Sequence, residues 1–141
     1  MTSPFESADL LIKLYELRRE PTMREARNWY AREFNPSTID DVMAAVMGPH
    51  SGPFRMVTSY WDMAASFVAN GAIDEQMFND ANGEQMVTFA KMEPFIADYR
   101  TRMGNPGYLS HLEKLVMKRP GAKEMMAGMR ERFRAMAAPK Q

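Results

Sequence analysis

Between Pro53 and Gly71 the sequence PFRMVTSYWDMAASFVANG separates into three stripes when wound at about 100° per residue. Phe54, Val57, Trp61, Ala64, Ala65 and Val68 cover one arc, Met56, Tyr60, Met63 and Phe67 the arc beside it, and Arg55, Ser59, Asp62 and Ser66 the third. The two apolar arcs together span about 200°, wider than the stripe a surface helix needs. A helix of that kind has to be enclosed by neighbours on several sides. The stretch therefore predicts an all-α fold: a single-domain bundle of about six to eight helices around a central helix near residues 53–70.

The rest of the chain agrees. Gly and Pro punctuate it regularly, and every segment between breaks reads helical. Leu10, Leu14 and Leu17 share a face of a first helix over about residues 7–19. Thr22 and Glu25 match a capping box, in which hydroxyl and carboxylate satisfy each other's orphan backbone donors, for a second helix to about Phe34. A short helix follows over about residues 38–47, and Gly71 suits the left-handed C-cap of the central one. Asp74 can cap a turn through Phe78. A longer helix from near Gly83 carries Pro94, which kinks or restarts it. Gly104 to Gly107 end that helix, and two more are expected over about residues 108–118 and 122–137. No alternating, β-branched segment of strand type occurs.

At 141 residues, 45% of them apolar and 26% charged, the chain can bury one core without staples. Residues 1–141 read as one helical domain, with 138–141 expected as a disordered tail. There is no cysteine, which excludes disulfides, thiolate metal sites and cysteine nucleophiles and suits a reducing compartment. The first residues hold no basic region followed by an apolar run, so no secretory signal is legible. The longest apolar runs fall far short of the roughly 20 residues a membrane span needs. The expectation is a cytoplasmic protein without a membrane span.

The two histidines, His50 and His111, decide against common metal chemistry. Neither stands three residues after a glutamate, as a helical di-iron centre requires, and they cannot share one helix as a His-Glu-x-x-His zinc site does. No nucleophile elbow, phosphate-cradling loop or dinucleotide fingerprint is present. No metal, cofactor or catalytic residue is assigned, and the reading leans away from an enzyme. The polar stripe of the central helix leaves three readings open: the solvent side, a buried pair with another helix, or a ligand cleft. The cleft reading makes Arg55, Ser59, Asp62 and Glu84 the candidate ligand-binding residues of a small-molecule-binding protein or enzyme.

Net charge is zero but uneven. Residues 1–34 are balanced, residues 35–113 carry six more acidic than basic side chains, and residues 114–141 six more basic than acidic. In the last helix Ala122, Met126, Met129, Phe133 and Met136 form an apolar seam flanked by Lys123, Arg130 and Arg134. Lys118, Arg119, Lys123, Arg130 and Arg134 are thus the candidate basic surface for an acidic partner. Nucleic acid is not favoured, since a pI near 6.7 gives no global basic field. Fifteen methionines fit irregular cores and adaptable contact surfaces better than copper ligation.

Tyr60, Trp61, Asp62, then Asn70, Gly71, Ala72, Ile73, Asp74, Glu75, Phe78, and later Pro94, Phe95, Tyr99 and Arg100 resemble a family of small bacterial helical proteins known only as a domain of unknown function. In that family an aromatic helix ends in Gly-x-Ile/Leu-Asp-Glu before a short acidic turn and a second long helix. The resemblance covers about Ala8 to Met117. It implies an all-helical, associating, non-catalytic bacterial domain and supplies no catalytic residues. Many relatives carry an N-terminal membrane segment; this chain shows no apolar run of that length at its start, and a membrane role is not carried over. The function expected is a protein–protein interaction module, acting as a homo-oligomer or with another protein through methionine-rich and aromatic surface.

Overall fold

The computed structural model describes residues 2–137. The tail expected over 138–141 lies outside the described residues. Helices account for nearly every long segment: α1 (Pro4–Arg19), α2 (Pro21–Arg32), α3 (Ile39–Met47), α4 (Ser51–Ala69), α5 (Glu75–Ala81), α6 (Glu84–Met92), α7 (Ile96–Met103), α8 (Ser110–Met117) and α9 (Ala122–Ala137). A 3-10 turn, Glu93–Phe95, joins α6 to α7 at Pro94. Counted as one kinked rod, that pair leaves eight helices, and no strand occurs among the described residues.

Local chemistry sets the boundaries. α1 begins earlier than expected because Ser3 and Glu6 form a capping box, Glu6 N–H donating to Ser3 Oγ at 3.2 Å and Ser3 N–H to Glu6 Oε1 at 3.1 Å. The box expected from Thr22 and Glu25 does not form. Pro21 takes the first helical position of α2, so Thr22 falls inside the first turn, and Glu20 accepts the Met23 N–H at 3.0 Å instead. α4 ends as expected. Gly71 has φ +78°, and the Gly71 and Ala72 N–H groups close on Val68 and Phe67 carbonyls at 3.0 and 2.9 Å, the two bonds of a Schellman turn. Asp74 caps α5 through the Met77 N–H at 2.9 Å.

α4 is the strut of the molecule, packed against α2, α3, α6 and α8. Its first apolar arc is sealed except at its C-terminal end: Phe54, Val57, Ala64 and Ala65 are buried, Trp61 is 1% exposed and Val68 is half-buried. The second arc is only partly covered. Tyr60 is buried and donates to the Leu14 carbonyl at 2.6 Å, Met56 and Phe67 are half-buried, and Met63 is 38% exposed. The expected 200° enclosure is therefore incomplete along Met56 and Met63, beside α1 and the start of α2. α9 packs on α6, α2 and α8. Ala122 and Met126 are buried there, Met129 and Phe133 half-buried, and Met136 exposed.

Candidate functional site

The gap in the second arc is a groove. Leu17, Glu20, Met23, Met56, Ser59, Tyr60 and Met63 line a depression of about 500 Å³ between the α1–α2 corner and α4. Three of its walls are methionines, whose unbranched thioether chains adapt to many shapes. On a different side of α1 from Leu17, apolar residues turn away from the core. Only Ser7 and Leu14 of that helix are buried, while Phe5 is 88%, Ile12 60% and Tyr15 50% exposed. With the half-buried Ala8 these residues recur at alternating spacings of three and four, the register of a helix–helix seam.

Of the four candidate ligand-binding residues, only Ser59 lines this groove, and its hydroxyl donates to the Arg55 carbonyl one turn back. Arg55 itself is exposed. Asp62 is half-buried, and its Oδ1 accepts the Leu112 N–H at 2.9 Å, in the first turn of α8. Glu84 forms a two-pronged ion pair with Arg27, Nε to Oε1 at 2.8 Å and Nη2 to Oε2 at 2.6 Å. That bond keeps the Arg27 guanidinium charged against the pull of burial. Tyr60, whose hydroxyl feels both Arg27 and Glu84, stands two positions before Asp62. Two positions are about 200° of helix, so Asp62 and Glu84 lie on different sides of α4. The structure does not bring Arg55, Asp62 and Glu84 into one cleft.

The basic candidates also go separate ways. Lys118 Nζ pairs with Glu75 Oε1 at 2.7 Å, Arg119 is half-buried and Lys123 exposed. Arg130 Nη1 donates to the Ala90 carbonyl at 2.8 Å and Arg134 Nη2 to the Pro36 carbonyl at 3.0 Å. These last two approach a group the sequence did not single out. Lys91, 2% exposed, sits at the C-terminal end of α2, where its Nζ donates to the carbonyls of Tyr30, Ala31 and Phe34 at 2.7, 2.9 and 2.8 Å and to Asn35 Oδ1 at 3.1 Å. Orphan carbonyls at a helix end favour a cation, and the Phe133 ring of α9 lies 4.6 Å from Nζ. Burial pulls the Lys91 pKa down to about 8. No local spacing could have revealed it, since its acceptors stand some sixty residues away. Among the described residues no group of three histidine, aspartate or glutamate side chains converges as a metal site would.

A family model described as a domain of unknown function, DUF4760, matches residues 4–118. The chain belongs to this family. No curated protein and no solved structure matches the chain. The DUF4760 match begins with α1 and closes just past α8, so α9 lies beyond it. Within the match, the residues that carried the resemblance staple helices together. Gly71 and Asp74 shape the turn into α5, and Tyr60 ties α4 to α1. Arg100 donates to the Tyr108 carbonyl at 2.9 and 2.7 Å and to Glu113 Oε1 at 2.9 Å. No helix among the described residues of this DUF4760 chain is long and apolar enough to cross a membrane.

Proposed function

We propose that this DUF4760 chain is a protein–protein interaction module that self-associates through its exposed apolar surface, the outer side of α1 and the methionine-walled groove. One observation carries the reading: Phe5, Ile12 and Tyr15 stand exposed in a helix-pairing register, and a separate apolar depression bordered by Leu17 of the same helix stays open. Exposed apolar surface of this kind marks interaction sites in stable domains. A two-fold contact uses the same patch on both copies, and the outer side of α1 can supply it.

Light scattering coupled to size exclusion at tens of micromolar tests it. A dimer or higher species is expected, and Ile12→Glu or Met63→Glu, at positions already exposed, should weaken the association by at least about tenfold, or roughly 1.4 kcal/mol. A strictly monomeric chain at that concentration overturns self-association, and an assembly indifferent to both substitutions overturns this face.

A further inference from the structure

Three cations meet where α2 ends against α6 and α9, and among the described residues none of them takes part in an ion pair. Lys91 supplies the buried one. Arg130 and Arg134 stand one turn apart on α9, close enough for their side chains to share a target, and reach past it to two different segments, the Ala90 and Pro36 carbonyls. Asn35, Pro36, Lys91, Arg130 and Arg134 enclose a slot of about 10 Å³, room for one oxygen atom of water size. Arg130 is half-buried and Arg134 exposed, so the slot is bordered on the α9 side by side chains that reach solvent.

The donors around it are unequally used. All three ammonium protons of Lys91 have carbonyl or amide acceptors, whereas each guanidinium, with five N–H donors, makes a single described bond to protein. None of the acidic residues near Pro36 in the chain forms a described ion pair with these cations: Asp41 accepts from the Ser37 and Thr38 N–H groups at 2.9 and 3.2 Å, Asp40 lies 3.7 Å from Arg102, and Glu33 is exposed. Lys91 meets only the partial negative charge of a helix end. The locus thus gathers three positive charges with no carboxylate in ion-pair range among the described residues, and its remaining donors are planar forks of the shape that matches phosphate oxygens in pairs.

We propose that Arg130 and Arg134, backed by Lys91, bind a phosphate-type oxyanion, one oxygen entering the slot and the others held between the two guanidinium groups at its mouth. The site uses residues distinct from the self-association face and stands or falls separately from it. The anion can be free phosphate or a phosphate headgroup on a lipid surface, and the chemistry that recognises it is the same.

Thermal unfolding of the full chain in sodium phosphate and in sodium chloride of equal ionic strength tests the free anion. At tenfold saturation the midpoint should rise by about 4 °C in phosphate. Arg130→Gln/Arg134→Gln should abolish the rise, and Lys114→Gln/Lys123→Gln, which removes the same charge from exposed positions, should keep it. Arg130→Lys/Arg134→Lys, retaining charge without the fork, should keep part of it and covers the case in which the glutamine variant fails to fold. Co-sedimentation with phosphatidic acid vesicles, against phosphatidylcholine alone, tests the headgroup. Loss of either response in Arg130→Gln/Arg134→Gln but not in Lys114→Gln/Lys123→Gln supports the site. Absence of both responses in the natural sequence, or a response that survives in Arg130→Gln/Arg134→Gln, overturns it; where that variant does not fold, an undiminished response in Arg130→Lys/Arg134→Lys does so.

Discussion

Trp61 shows how far a single residue follows from its neighbours in sequence. Its place in the arc of Phe54, Val57, Ala64 and Ala65 is enough to bury it, and the structure encloses the indole between Tyr60 and Phe78 at ring distances of 4.9 and 6.4 Å, with the Arg18 guanidinium 5.5 Å from the ring centre. Its Nε1–H finds no acceptor among the described residues. Trp61→Ala should cost about 3 to 5 kcal/mol in urea unfolding, the range for removing a large buried aromatic. Trp61→Phe should cost about 1 to 2 kcal/mol, because no hydrogen bond is lost with the indole nitrogen. An alanine variant weakened by less than about 1 kcal/mol would show that the side chain is not enclosed. Lys91 is the counter-example. A lysine in an otherwise apolar stretch gives no sign that three carbonyls at the end of another helix are waiting for it.

At the scale of the helix, the ends read from sequence hold where the capping chemistry is local. Gly71, Asp74 and Gly104 terminate or start helices as their conformational freedom and side chains dictate; Gly104 has φ +62°. Thr22 and Glu25 show the competing rule, in which a proline one residue earlier fixes the helix start and overrides a box that is only a spacing match. α8 has no local cap. Leu109 occupies its N-cap position with φ +55° and offers no oxygen, so Asp62 caps α8 from α4, one turn on from Thr58, whose hydroxyl accepts from Tyr108 at 3.0 Å. Asp62→Ala should therefore destabilise the domain by about 1 kcal/mol, as loss of a cap does, with faster hydrogen exchange at Leu112. Asp62→Asn, which keeps an acceptor, should recover most of it. Equal stability of the alanine variant would show that the cap contributes nothing.

The whole molecule should record its buried ionisable groups as a pH profile. Lys91 has a folded pKa of about 8 against an ordinary 10.5. The unfolded chain therefore binds more protons between those values, and stability should rise as pH climbs from about 8. Tyr30 and Tyr108 act in the opposite sense. Burial raises both above the ordinary 10.0, so the folded chain keeps protons that the unfolded one releases, and stability should fall above about pH 10. Urea titrations of the natural sequence should show a rise between pH 8 and pH 10 followed by a decline, and Lys91→Met should lose the rise while keeping the decline. A flat or falling profile from pH 8 in the natural sequence would contradict the assignment. This profile could not be read from composition, since it depends on which of many titratable groups the packing withdraws from water.

Periodicity and punctuation alone determined that the chain is helical, that residues 53–71 supply its strut and that Trp61 lies at its centre, because these follow from the spacing of apolar residues and from the conformational limits of Gly and Pro within one segment. Tertiary structure alone decided which sides of that strut stay open. It set Met63 and α1 facing outward, sent Asp62 and Glu84 to separate partners and drew Lys91, Arg130 and Arg134 together from two helices. Those outcomes depend on contacts between segments tens of residues apart, and the pattern within a single helix carries no information about which neighbour it will meet.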